Sequence, residues 1–299
     1  MKKINYRKIF KKITILATIL IAVFLAIFIF LQTIKQVPTK GDWKDTLKVL
    51  STVEFNGNLV TVRNVRNFQY DAKENPTVEA YYDKTYNLDD LVKVWYITEP
   101  FNPGSPFAHT FLSFEFSGNI FLSITIEGRL TKDQQYSALN GTLRTFPLMY
   151  IAADEKDAVY VRTNVQKADV YLYPLKANPK DGRLLLVDML NRMNELAVHP
   201  AWYNSIFANC TSSIAQHVNK IWPGLLPTFD WQVVLTNHAD ELALSKGLLD
   251  TNLPLDQARN KFYITDISQK IGYVDNYSVL IRENGRSVAT SSLLSKLVK

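Results

Sequence analysis

Three hydrophobic patterns succeed one another along the chain. From 13 to 31 it reads ITILATILIAVFLAIFIFL, nineteen residues without a charge. At 1.5 Å per residue the run is about 28 Å long, close to the roughly 30 Å hydrocarbon core of a bilayer. It lacks the polar face of a soluble core helix, and 13–34 is predicted to span a membrane. Period-two alternation follows. Segments 59–65, 93–101, 109–116, 120–129, 158–164 and 170–175 are predicted strands. Ser117-Gly118-Asn119 predicts a tight turn that pairs 109–116 with 120–129 antiparallel. Helical spacing comes last: 181–197 ended by Pro200, a helix within 205–222 starting near Cys210, and 232–246 capped by Gly247. Strands first and helices after predict an α+β domain, with a mostly antiparallel sheet packed on helices. Residues 36–40 read as a short linker and 42–50 as an amphipathic stretch with Trp43 at interfacial depth. The tail 253–299 is mixed and polar, and its last dozen residues are expected to be poorly ordered.

Charge changes the picture only at the N-terminus. Lys2, Lys3, Arg7, Lys8, Lys11 and Lys12 precede the apolar run with no acid among them. Such a cluster stays in the cytoplasm, so the rest of the chain is expected on the far side of the membrane. A cleaved signal peptide would carry a shorter apolar region and a small-x-small site. Here the run ends in Phe28, Ile29, Phe30 and Leu31, which predicts an uncleaved anchor. The net charge of +6 lies in that cluster, since the remainder has 28 basic and 28 acidic residues. No nucleic-acid surface is implied. With 12% aromatic residues and no low-complexity tract, the part after the anchor has the means to build a core.

The chemistry-bearing residues are few. Cys210 is the single cysteine, so no intrachain disulfide forms. A lone thiol is either a small buried hydrophobe or a nucleophile. Asn209-Cys210-Thr211-Ser212 opens a predicted helix, with Asn209 as N-cap. A thiol in the first turn faces unpaired N–H groups, which would lower its pKa and hold an oxyanion. A base must lie within reach. Of His109, His199, His217 and His238, His109 begins a strand and can approach a helix start across a cleft. His217 lies seven residues after Cys210, about 10 Å along the helix axis. The turn at 117–119 sets 109 opposite 127, so Glu127 is the candidate orienter of His109, or else an ion-pair partner of Arg129. Metal-ligand spacings, Gly-rich phosphate loops and GxSxG elbows are missing, and no cofactor is expected.

These residues carry a resemblance. VRNFQY (65–70), YYDKTYNLDDL (81–91), EPFNPGSPFAHTFLSFEF (99–116), SITIEGR (123–129), YSALNGTLRTF (136–146), YIAADEKDAVYVRTN (150–164), VYLYPL (170–175), WYNSIFANCTSSIAQHVN (202–219) and FDWQVVLTNHADELALSKGLLDTNLP (229–254) occur in order. Together they resemble the Lnb-type N-terminal periplasmic domain, although Lys156 stands where that family more often has arginine. The family is similar to permuted papain-like enzymes of the NlpC/P60 kind, in which a strand histidine, a polar orienter and an Asn-Cys helix start follow one another. The resemblance implies that Cys210, His109 and Glu127 are catalytic, with Asn209, Arg129 and Tyr203 in support. It implies a lipoprotein N-acyltransferase on the periplasmic side of the bacterial inner membrane. Membrane phospholipid would be the acyl donor and a lipid-modified lipoprotein the acceptor.

The expected organisation is a cytoplasmic basic segment (1–12), a transmembrane helix (13–34), a juxtamembrane linker (35–58), a catalytic Lnb-type domain (59–252) and a C-terminal extension (253–299). Two alternatives stay open. One is a papain-like cell-wall peptidase or amidase, with an open polar groove where an acyltransferase needs an apolar tunnel. The other is an anchored binding module with a structural cysteine.

Overall fold

The computed structural model describes residues 6–227 and 230–283. Lys2, Lys3 and the last dozen residues lie outside the described residues. The chain divides into two units, Met1–Thr39 and Lys40–Lys299. The first is helix α1 (Tyr6–Ile34). Its Phe10–Ile34 portion is long and apolar enough to cross a membrane. Apolar side chains such as Leu20 and Phe24 stand exposed along it, as on a lipid-facing helix.

In the second unit the strands are β1 (Thr52–Asn56), β2 (Leu59–Arg66), the small pair β3 (Gln69–Tyr70) and β4 (Pro76–Val78), β5 (Tyr81–Asn87), β6 (Leu91–Pro100), β7 (Ala108–Phe116), β8 (Ile120–Gly128), β9 (Leu148–Ala153) and β10 (Tyr171–Pro174). The helices are α2 (Ala138–Thr142), α3 (Glu155–Ala158), α4 (Pro179–Val198), α5 (Cys210–Ile221), α6 (Trp231–Val234), α7 (Ala239–Ser245), α8 (Leu255–Phe262), α9 (Thr265–Ile271) and α10 (Tyr277–Leu280). The main sheet runs β1-β2-β9-β8-β7-β6-β10, with β5 also on β2. Its ladders are antiparallel except for a short parallel contact at Arg66 and Ala153. The fold is therefore α+β, an open sheet packed against helices.

The β7–β8 register follows the predicted turn. Phe111 pairs Thr125 and Phe116 pairs Ile120, with Gly118 and Asn119 at positive φ between the strands. All nine residues of β7 are buried, because helices or loops cover both its faces. The strand predicted at 158–164 is instead helical: α3 runs into a π-turn at Val161–Val165. Its β-branched alternation misled, because Asp154 caps a helix there by accepting the Lys156 N–H. The helix predicted over 232–246 breaks into α6, a 3-10 turn (Thr236–His238) and α7, while Gly247 does end it at φ +67°.

Two further segments belong to the packed unit. Trp43 is buried, with the Arg129 guanidinium 4.4 Å from its ring, and it bridges to Thr131. Its ring is therefore packed within the domain. The tail also contributes core: Phe262, Tyr277, Ile281 and Arg282 are buried. Arg282 is fully enclosed with its ion partner Glu155, and its guanidinium lies 4.7 Å from Trp95 and 4.2 Å from Phe121. Removing one member of such a pair typically costs about 3–5 kcal/mol.

Candidate active site

Cys210 is the first residue of α5, and Asn209 is its N-cap. Asn209 Oδ1 accepts the Ser212 N–H at 2.7 Å, and Ser212 Oγ accepts the Asn209 N–H at 2.9 Å, a closed capping box. Asn209 also donates to Ser205 O at 2.8 Å, which fixes the approach to the helix. Ser213 N–H goes to Asn209 O. The Cys210 and Thr211 N–H groups find no acceptor among the described residues.

His109 is the second residue of β7, and the strand start is clamped. Thr236 Oγ1 accepts the Ala108 N–H at 2.7 Å and donates to Ala108 O at 2.6 Å. On one side His109 pairs Glu99 of β6. On the other, the β7–β8 ladder ends at Phe111–Thr125, and continuing its register sets Glu127 opposite His109. His109 Nε2 lies 2.6 Å from Thr125 Oγ1 and 3.2 Å from Glu127 Oε1. Thr125 Oγ1 donates to the same Glu127 oxygen at 2.9 Å. Nδ1 has no hydrogen-bond partner among the described residues.

Arg162 joins the two carboxylates that flank His109. Its Nε donates to Glu99 Oε2 at 2.7 Å, its Nη2 lies 3.4 Å from Glu127 Oε1, and its guanidinium stacks 4.8 Å from the Phe111 ring. Arg129 does not take that role. It donates to Leu47 O at 2.9 Å and Lys48 O at 2.6 Å, pinning the segment that follows the anchor.

Burial decides the protonation states. It pushes the Cys210 thiol up, although Thr110 and Thr211 groups around the sulfur favour the thiolate. The depressed thiol expected from the helix start is thus outweighed. Burial also drives His109 down to about 4, against the pull of Glu127. For Glu127, burial favours the acid, but His109, Arg162 and Thr125 outweigh it and lower its pKa. Glu99 is raised to about 7 by burial, with Arg162 opposing. The resting pair is a neutral thiol and a neutral imidazole beside an ionised Glu127.

Cys210, His109, Glu127, Asn209 and Tyr203 all line one cleft of about 1340 Å³. Side chains alternate along β7: Thr110 meets α5 through Thr211 Oγ1 at 2.9 Å, while His109 keeps company with Phe111, Thr125 and Glu127. No hydrogen bond joins Cys210 to His109, and the sulfur lies 3.9 Å from Ala108 O. Tyr203 hydrogen-bonds Tyr136 at 3.1 Å, and burial raises its pKa.

The other histidines are elsewhere. His217 is buried between Tyr150 and Asp188, His199 caps α4, and His238 packs at a tilt against Trp231. Sequence reasoning missed Thr125, Glu99 and Arg162. The first two were legible: Thr125 shares a strand face with Glu127, and a hairpin about Pro103-Gly104 pairs Glu99 with His109. Arg162 fell in the segment misread as a strand. No group of three or more His, Cys, Asp or Glu suited to a metal occurs among the described residues.

An α+β domain with a cysteine at a helix start and a histidine in the same cleft defines the class. A model described as the Lnb N-terminal periplasmic domain matches residues 77–237, more than half of the chain, and the protein belongs to that family. The family and the apolar α1 fit a single-pass membrane protein with a periplasmic domain. Comparison with curated proteins and with solved structures gave no match.

Proposed function

We propose that the protein is a membrane-anchored thiol acyltransferase, with its N-terminus in the cytoplasm and its cleft on the outer side of the inner membrane. The observation that carries this reading is the make-up of the cleft. Cys210 and His109 line it together with Lys44, Asp45, Thr46 and Leu47, the segment reached ten residues after α1 ends at Ile34. A thiol site in a domain tethered to a membrane anchor meets lipid substrates at high effective concentration. The chain order of His109, Glu127 and Cys210 supports kinship with permuted papain-like enzymes.

In the proposed reaction His109 Nδ1 takes the thiol proton as Cys210 Sγ attacks an ester carbonyl of phospholipid. The Cys210 and Thr211 N–H groups hold the oxyanion. The ester C–O bond breaks, the alkoxide of the lysophospholipid receives the proton, and an acyl thioester remains. The free amine of a lipid-modified lipoprotein N-terminus then attacks the thioester, the C–S bond breaks, and the amine proton returns the thiol. An apolar cavity of about 60 Å³ supports the acyl reading: it is lined by Thr211, Ile214, Ala215, Val218 and Leu242, and Thr211 Oγ1 lies 4.0 Å from the sulfur. It has room for roughly four water-sized groups, enough for the first carbons of a chain.

A second reading has its own observation. The cleft is open and lined by polar groups such as Lys73, Glu74, Asn102 and Asn237, which suits a peptide. Intact mass spectrometry of the full chain after incubation with phospholipid vesicles separates the readings. The acyltransferase gives an acyl adduct on Cys210 that hydroxylamine removes and that Cys210→Ala lacks. Cleavage of cell-wall peptides without any adduct overturns it in favour of the peptidase. A thiol that alkylates no faster than free cysteine and forms no adduct leaves a binding module.

A further inference from the structure

We infer that Thr125 is a positioning residue that fixes the tautomer of His109, an inference that rests on His109 being the base of the site proposed above. A hydroxyl has one proton to give. Thr125 gives it to Glu127 Oε1 at 2.9 Å, an acceptor-only group when ionised. The 2.6 Å contact between Thr125 Oγ1 and His109 Nε2 must then be a hydrogen bond donated by the ring. The neutral imidazole therefore carries its proton on Nε2, and the lone pair sits on Nδ1, the nitrogen without a hydrogen-bond partner among the described residues.

The relay is held from both ends. Glu127 Oε1 also receives Arg162, which is itself locked by Glu99 and by Ala158 O. Thr125 is fully buried on β8, in register with Phe111, two residues along β7 from His109. A threonine there connects two groups that the strand ladder brings near but does not hydrogen-bond to each other through the backbone. When Nδ1 takes the thiol proton, Nε2–H becomes the cationic donor of the chain His109–Thr125–Glu127, and the hydroxyl passes the stabilising effect of the carboxylate to the ring without becoming charged. Thr125 touches neither substrate nor sulfur and acts through His109.

The test uses the full chain in detergent, with two variants. Thr125→Val keeps the shape and removes the hydroxyl, and Thr125→Ser keeps the hydroxyl. Nitrogen NMR of labelled histidine reads the tautomer directly, with the four histidines assigned by substitution. Iodoacetamide alkylation of Cys210 across pH reads the consequence. The expected result is an Nε2–H ring in the parent and in Thr125→Ser, and a mixed or reversed tautomer in Thr125→Val. Alkylation near neutral pH should fall about tenfold in Thr125→Val, the usual scale for losing a hydrogen bond to a charged partner, and return in Thr125→Ser. An unchanged Nε2–H tautomer in Thr125→Val overturns the inference, because Glu127 at 3.2 Å would then hold the ring by itself. Should Thr125→Val unfold, Thr125→Ser and the parent still decide: an Nδ1–H ring in either one refutes it. A parent thiol that is inert to iodoacetamide refutes the catalytic reading instead, and the tautomer measurement stands apart from that result.

Discussion

Helix α5 has a histidine in the cleft beside its first residue and another on its own far end, and the two sit in opposite kinds of site. His217 is buried with both ring nitrogens engaged, Nδ1 with Asp188 Oδ2 at 2.6 Å and Nε2 with the Tyr150 hydroxyl at 2.8 Å. His109 is also buried, with its nearest carboxylate oxygen, on Glu127, 3.2 Å away, yet its Nδ1 has no hydrogen-bond partner among the described residues and the residue lines the cleft. Burial lowers the pKa of both, so protonation state does not tell them apart. The difference lies in the hydrogen-bond account. A histidine with both nitrogens satisfied is a beam of the core. One that keeps a nitrogen free of partners can take a proton.

Exchanging the two sites by mutation gives the largest effects. His109→Ala should lower the alkylation rate of Cys210 near neutral pH by about a hundredfold, the low end for loss of a positioned base. It should leave the urea midpoint nearly in place. His217→Ala should do the reverse: Tyr150 and Asp188 lose their buried partner, at a cost of about 2–3 kcal/mol, while the folded protein alkylates at the parent rate. Matching losses of reactivity in both variants would erase the distinction. Glu127→Gln comes next. It keeps an acceptor for Thr125 but removes the charge that stabilises the imidazolium, so reactivity should drop about tenfold. Arg162 would then face Glu99 alone, and a pH–activity profile that overlays the parent would reduce the site to a Cys210–His109 dyad.

The pH dependence of stability is a smaller effect with a definite sign. The His109 pKa falls from 6.5 in the unfolded chain to about 4 in the folded one. Between those values the unfolded chain binds a proton that the folded protein refuses. Stability is therefore full above about pH 6.5 and is lost as the pH falls toward 4, by up to about 3 kcal/mol. Glu99, raised to about 7, works the other way, gaining stability as pH falls from 7 to its unfolded value. The difference between the parent and His109→Gln isolates the histidine: the variant should lose less stability on acidification. A parallel pair of melting curves would place His109 in solvent.

The geometry of the candidate site was more legible than the protonation chemistry. A turn at 117–119 and a strict period of two suffice to set residue 127 across from 109, because a hairpin register is fixed once its turn is known. The start of α5 was equally readable, since Asn209 and Ser212 are a capping pair at local spacing. What failed needed tertiary context. Val159 to Thr163 alternates like a strand but turns helical, because Asp157 is spent on Arg66, on the Phe68 N–H and on Tyr70, and this anchors α3 against β2. Arg129 stands two residues from Glu127, yet it reaches the other way to the carbonyls of 47 and 48. The thiol pKa depends on burial that no local motif reveals.

The smallest expected effect tests whether the two ends of α5 are independent. Lys220 Nζ donates to Asp188 Oδ1 at 2.8 Å, while the other oxygen of that carboxylate holds His217. The lysine side chain is 60% exposed, so the pair is screened by solvent and salt. Lys220→Ala should cost about 0.5 kcal/mol at low salt and almost nothing at high salt, read from urea melts. Burial favours the acid form of Asp188, but its bonds to His217 and Lys220 prevail and lower its pKa. That contribution is present above the unfolded carboxyl value and is lost as the pH falls through the folded one. Without Lys220 the loss should be smaller and should be complete at a higher pH. Alkylation of Cys210 should stay unchanged, because the capping box and the Thr110–Thr211 bond hold the first turn without help from the last. A changed alkylation rate in Lys220→Ala would mean that the beam at one end of the helix sets the reactivity at the other, and the contrast between the two histidines would lose its basis.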